Sequence, residues 1–214
     1  MKPRLFYIHD PMCSWCWGFK AAWDQVQEQV ADEVDVVYVA GGLAPENHDP
    51  MPEAMRHSLE QTWHNVSEKT GAQFNFDFWR NNTPNRSTYP ACKAVLVARE
   101  FDKELQMIER IQQFYYQQAG NPSVYSNLYD LAEDIGIERR SFINRLHSAE
   151  IAQLLQNEIM KGEALGAQGF PSLVLSDSYG YLFIQHHYTD VEHTLNLIRE
   201  GIERLKLNRA NAEG

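Results

Sequence analysis

The sequence predicts an α/β protein whose sheet is assembled from two ends of the chain. A β-α-β unit opens it and a β-β-α unit closes it, with a long helical stretch between. Three observations predict this. A short apolar run, Leu5–Ile8, precedes a helical pattern and then a β-branched run, Val34–Ala40. From about Pro45 to Leu165 the apolar spacing is almost wholly helical. Strand signals return only after Gly166. The expected organisation is a discontinuous α/β domain, residues 1–44 and 166–214, with a helical insertion domain at 45–165.

Each element has a local cause. Leu5–Ile8 reads as a short buried strand, followed by a His9-Asp10-Pro11 loop. Pro11 discourages helix before it and suits a helix entrance. Phe19, Ala22, Trp23, Val26 and Val30 then recur on one face of a helix running from Ser14 to about Val30. Val34–Ala40 makes the second strand, most simply parallel to the first in a right-handed unit. Gly41-Gly42 ends that pattern.

Helical faces follow in the insertion: Met51, Met55, Leu59, Trp63 and Val66; Ala91, Ala94, Val95 and Ala98; Leu105, Ile108, Ile111 and Tyr115. Leu128, Leu131, Ala132 and Ile135 form another, with Gly136 placed as its C-cap. Phe142, Leu146, Leu154, Leu155 and Ile159 continue the signal. Ser172–Leu175 and Tyr181–Ile184 flank a polar Ser176–Gly180 loop and read as a hairpin. Val191, Leu195, Ile198, Ile202 and Leu205 give a closing helix, with Asn208–Gly214 expected to fray.

The 214 residues, 43% hydrophobic and 12% aromatic, suffice for a substantial core. A formal charge of −10 argues against nucleic acid or an anionic membrane as the partner. No segment is long and apolar enough to span a bilayer, and no targeting segment precedes the first strand, so the expected location is the cytoplasm.

The chemistry concentrates in Met12-Cys13-Ser14-Trp15-Cys16-Trp17-Gly18-Phe19. Two cysteines spaced Cys-x-x-Cys follow a strand and open a helix. A thiol there sits among unpaired N–H groups at the positive end of the helix dipole, which favours thiolate, the nucleophilic form. A second thiol one turn on can close or resolve a disulfide. Cys13 is therefore expected to be an exposed nucleophile and Cys16 a more buried resolving thiol. The competing use of Cys-x-x-Cys, half a zinc site, usually needs a second pair or a Cys/His partner set; Cys92 stands alone and no ligand-spaced group follows His9, so no metal is expected and a non-enzymatic zinc or binding module is the third reading. Gly169-Phe170-Pro171-Ser172 enters the next strand directly. Its proline is either an ordinary strand-start residue or a cis-proline loop that presents the backbone of the preceding residue.

This order, strand, Cys13-Ser14-Trp15-Cys16, helix, strand, helical insertion, Gly-Phe-Pro-Ser, hairpin, helix, resembles the thioredoxin fold in its DsbA-like form over essentially the whole chain. Asp10–Phe19 and Asn85–Ala94 look like the cytoplasmic predicted protein-disulfide isomerase subgroup, neighbour to FrnE-like proteins and 2-hydroxychromene-2-carboxylate isomerases. The resemblance implies a thiol–disulfide oxidoreductase or isomerase, with Cys13 as nucleophile, Cys16 as resolving thiol and Pro171 as cis-proline. Its partners would be client proteins bearing disulfides or thiols, recycled by glutathione or a thioredoxin-type system. No cofactor is implied beyond glutathione as a redox partner. Phe170, Trp15 and Met12 are the candidate substrate contacts. The alternative is a glutathione-dependent small-molecule isomerase or transferase of the 2-hydroxychromene-2-carboxylate isomerase type; those generally carry Ser where this chain has its pair.

Departures from the pattern are specific. The dipeptide Ser14-Trp15 lacks the proline of thioredoxins and the histidine of periplasmic DsbA, and Phe170 is bulkier than the residue usual before the proline. Phe170 is expected to narrow the cleft or add an apolar contact. No counterpart of the buried acid that assists thioredoxin's second cysteine is evident. Cys92 is expected to be a buried small residue, its other reading being a third thiol facing the cleft. His57, His64, His186 and His187 are expected on the surface, Trp15 exposed and Trp23 buried.

Overall fold

A computed structural model describes residues 2–213. Four strands form one sheet in the order β2-β1-β3-β4: β1 (Arg4–His9), β2 (Asp35–Ala40), β3 (Ser172–Asp177) and β4 (Gly180–Ile184). β1 runs parallel to β2 and antiparallel to β3, and β3 pairs antiparallel with β4. The two ends of the chain thus meet in the centre of the sheet. His9 belongs to β1 rather than to the loop, and the hairpin closes through Ser178-Tyr179 alone.

Helix α1 (Ser14–Gln29) crosses from β1 to β2 and buries Cys16, Phe19, Ala22, Trp23 and Val26. Phe19, Ala22, Trp23 and Val26 join Leu5, Tyr7, Leu173 and Leu175 of the sheet and Leu195, Ile198 and Ile202 of the closing helix α9 (Val191–Glu213) in one apolar layer. Each such aliphatic side chain contributes roughly 1.5–3 kcal/mol on burial. The helical signal of α9 persists through Glu213, so the expected fraying of 208–213 is not observed; Gly214 lies outside the described residues.

Between β2 and β3 lie α2 (Glu53–Thr70), α3 (Phe78–Asn81), α4 (Tyr89–Arg99), α5 (Glu104–Gln112), α6 (Tyr125–Asp134), α7 (Arg139–Leu146) and α8 (Ala149–Ala164). Gly136 ends α6 with a positive φ of 78°. A π turn, 113–117, extends α5 and re-aims Tyr115 and Tyr116 into the interior. The insertion is less helical than its apolar spacing predicts. Met51 precedes α2 because Pro52 sets the start of the helix, and Met55 and Leu105 are exposed. Residues 71–88 hold only the single turn of α3. There Phe74, Phe76, Phe78 and Trp79 pack around Trp63, Tyr115 and Tyr116. Asn75 and Asn82 side chains bond backbone carbonyls of Gln117 and Ala119, occupying groups that a helix would use.

The insertion is bound to the C-terminal half of the edge strand β2. Glu158 of α8 accepts from Ala40 N–H at 3.0 Å, and Arg99 of α4 pairs with Glu158 at 3.3 Å. Gly18 lets α1 and α2 approach closely: a Cβ there would stand 2.6 Å from Val66 Cγ1.

Candidate active site

Strand register brings the two motifs together. Ile8 pairs with Ser172, so Phe170 and Pro171 lie alongside the end of β1 and the start of α1. The Phe170–Pro171 peptide is cis. Cys13 is the N-cap of α1, with φ −83° and ψ 117°. No side chain caps that helix start and no acidic residue sits in its first turn, so the N–H groups remain free to act on whatever stands beside Cys13. The Cys13 thiol donates to the Phe170 carbonyl at 3.4 Å.

Cys13 is 6% exposed and Cys16 fully enclosed. The expected order of burial holds, but Cys13 is not an exposed thiol: the proline loop covers it. Both are free, as is Cys92. The Cys13 sulfur and the Tyr7 hydroxyl are the neighbouring groups that act on the Cys16 thiol. Burial first, then the neighbouring Cys13 sulfur, raises the Cys16 pKa well above the usual thiol range.

The remaining predicted contacts divide. Met12 is half-buried, its sulfur 4.0 Å from Ser123 Oγ, and so spans from the cysteine loop to the insertion. Trp15 is half-buried rather than exposed; its ring lies 5.0 Å from Tyr188 with the Lys69 ammonium 5.6 Å away. Trp17 stacks on Tyr116 at 5.6 Å. Pro171 is buried. The Phe170 ring packs with Phe6, Ile8, Val39 and Val174, over Gly41. A Cβ at Gly41 would occupy the space of that ring. Its carbonyl, not its side chain, faces the thiol.

Sequence reasoning missed Asp10. Its carboxyl is fully buried between the cysteine loop and the insertion. It accepts from Met12 N–H at 2.8 Å, Leu43 N–H at 2.8 Å, the Thr88 hydroxyl at 2.6 Å and the Cys92 thiol at 3.3 Å. Burial raises its pKa despite those donors. Cys92 is thus a buried residue, as its plainer reading had it, its thiol turned to Asp10. Burial and the Asp10 carboxyl together raise its pKa well above the usual range. The only advance signal for Asp10 was its place beside Pro11; its partners lie up to 82 residues away.

His9 is buried and stacks on Tyr7 at 5.2 Å, and neither ring nitrogen has a partner among the described residues. Burial pushes its pKa down to about 3. His57, His64 and His187 are exposed as expected, but His186 is half-buried against Phe19, 4.6 Å away, and burial lowers its pKa to about 4. Among the described residues no group of three or more His, Cys, Asp or Glu side chains is arranged to hold a metal ion, and no helix is long and apolar enough to cross a membrane.

Comparison with known proteins agrees with this geometry. The DsbA-like thioredoxin domain family matches residues 6–192. YwbO of Bacillus subtilis, an uncharacterised protein, is 24% identical over 184 residues, covering 83% of this chain and 89% of that one. A structure from Nitrosomonas europaea, described as a candidate protein disulfide isomerase, superposes with a TM-score of 0.84 at 28% identity, covering 95% and 99% of the two chains. The cytosolic disulfide reductase DsbM of Pseudomonas aeruginosa gives 0.70 at 22% identity, covering 97% and 98%. A second DsbM structure, with GSH, gives 0.68. A helix-opening thiol pair beneath a proline loop, on this sheet and across this span of chain, makes the protein a member of the DsbA-like thioredoxin domain family of thiol–disulfide oxidoreductases.

Proposed function

We propose that the protein exchanges disulfides with client proteins through Cys13 and Cys16. Cys13 thiolate attacks a client disulfide sulfur and releases one client thiolate, leaving a mixed disulfide on Cys13. Cys16 thiolate then attacks the Cys13 sulfur, forms the Cys13–Cys16 disulfide and releases the second client thiol. Two electrons pass to the client; the reverse sequence oxidises a client dithiol. The carrying observation is the 3.4 Å contact of the Cys13 thiol with the Phe170 carbonyl, with Cys16 enclosed beside it. A client strand lying along Phe170 and Pro171 has its sulfur delivered to Cys13, with Met12 and Trp15 flanking it. Main-chain recognition of that kind tolerates many client sequences.

Glutathione or a thioredoxin-type protein returns the pair to its working state, in the cytoplasm. Similarity to DsbM, a cytosolic disulfide reductase seen with GSH, supports glutathione as that partner and the cytoplasm as the location. Residues 45–165 act as an insertion domain beside the thiol pair, where Ser123, Tyr116 and Thr88 touch Met12, Trp17 and Asp10 around it. Both thiols being present weighs against the small-molecule isomerase reading.

The test is Cys16→Ser, produced in cells and quenched with acid before non-reducing electrophoresis and mass spectrometry. Mixed disulfides linked through Cys13 should accumulate, with adduct lifetimes lengthened at least about 100-fold by loss of the intramolecular thiol. A folded variant whose Cys13 stays free of adducts overturns the reading.

A further inference from the structure

Resolution requires Cys16 to shed a proton, although the thiol is fully enclosed. On the side away from the proline loop, a cavity of about 300 Å³ opens between α1, the edge of the sheet and α5. Cys16 lines it and Cys13 does not. Its buried wall is Cys16, Tyr7, Gln112, Trp23 and Ile108; Asp24 and Glu109, both exposed, stand at its mouth. Gln112 is 3% exposed, and its side-chain oxygen has no hydrogen-bond partner among the described residues. A polar space of this size admits several waters, each needing such partners.

We propose that this cavity is the proton outlet of the resolving cysteine, with Tyr7 and Gln112 as its positioning residues. The Cys16 proton leaves through water held at Gln112 and reaches solvent past Asp24 and Glu109. The Tyr7 hydroxyl donates to the thiolate as it forms. That thiolate attacks Cys13, the Cys13–Cys16 bond forms, and the departing client thiolate takes its proton from solvent. The titratable groups facing Cys16 are Cys13 on its own helix, Tyr7 on β1, Asp10 in the cysteine loop, Tyr116 in the π turn and Tyr188 after β4. Tyr38 on β2 and Lys20 line the cavity as well, and Lys20 is paired with Asp24 at 2.6 Å. No cation is therefore left unpaired against the sulfur among these groups.

The inference rests on the thiol–disulfide reading, and one experiment separates the two. A nitrobenzoate disulfide reporter releases one coloured thiolate on attack by Cys13 and a second on resolution by Cys16; Cys16→Ser identifies the first phase. Tyr7→Phe and Gln112→Leu are close in volume to the native residues, and circular dichroism checks their folding. Each should slow the second phase about tenfold more than the first at neutral pH, as loss of one charge-assisted hydrogen bond implies. The deficit should shrink as pH rises, because scarcity of thiolate limits the step, which a merely structural defect would not show. Equal slowing of both phases, an unchanged second phase, or a deficit independent of pH overturns the outlet. A wild-type protein that releases nothing overturns the thiol–disulfide reading itself.

Discussion

Cys13 and Cys92 both lie at helix beginnings, both are buried, and Asp10 touches each of them. The Asp10 backbone carbonyl accepts from Cys13 N–H at 3.0 Å, while its carboxyl accepts from the Cys92 thiol at 3.3 Å. The Cys13 sulfur faces a neutral carbonyl at an uncapped helix start free of acids. The Cys92 sulfur faces a carboxyl, and burial with that neighbour disfavours its thiolate. A place in the first turn of a helix is therefore not sufficient to favour a thiolate. What the sulfur points at decides, and here one aspartate helps to fix both surroundings.

The largest expected effect breaks the pair itself. Cys13→Ser should lower disulfide exchange with a reporter at least about 10⁴-fold, the scale seen on removing other enzymic nucleophiles. Stopped-flow kinetics checks it, and residual exchange carried by Cys92 would reverse the ranking of the two thiols. Next is Asp10→Ala, which strips the acceptor from buried donors of Met12, Leu43, Thr88 and Cys92. At about 1–3 kcal/mol per stranded buried group, partly relieved by relaxation, it should cost about 3 kcal/mol in denaturant unfolding. A loss below about 1 kcal/mol would mean that Asp10 does not join the cysteine loop to the insertion.

A third prediction concerns acid. Burial holds the folded-state pKa of His9 down to about 3, below the 6.5 of an unperturbed histidine. The unfolded chain therefore takes this proton first. The stability contributed by the neutral ring is complete above about pH 6.5 and is lost as pH falls toward 3, by at most about 1.4 kcal/mol per unit. Relative to His9→Phe, the wild type should lose stability through that window; parallel stability curves would contradict it. The smallest effect belongs to Cys92→Ala. It forfeits one buried hydrogen bond and should cost about 1–2 kcal/mol, with the redox equilibrium of Cys13 and Cys16 unmoved. A shifted equilibrium would give Cys92 a part in the chemistry.

Much of this was legible in sequence, for identifiable reasons. The strands and α1 are set by apolar runs and by Phe19, Ala22, Trp23 and Val26 on one helix face, all local signals. The cysteine motif and Phe170-Pro171 are short and self-announcing. Asp10 was not legible, because its role consists of contacts with Leu43, Thr88 and Cys92, 33 to 82 residues away. The aromatic cluster of Trp63, Phe78, Trp79, Tyr115 and Tyr116 escaped for a related reason: a π turn and a near-coil segment build it, and neither has a periodic signature. Trp15 was placed too far outward because Tyr188, from the far end of the chain, covers it, and His186 because it packs on Phe19 of α1.

The most direct measurement equilibrates the purified protein in glutathione buffers of graded potential, traps thiols with an alkylating label, and maps each cysteine by mass spectrometry. The account predicts a single reversible two-electron transition that joins Cys13 to Cys16, between about −120 and −270 mV, the span of dedicated redox proteins, with Cys92 reduced throughout. No reversible transition, or a disulfide that includes Cys92, would contradict it.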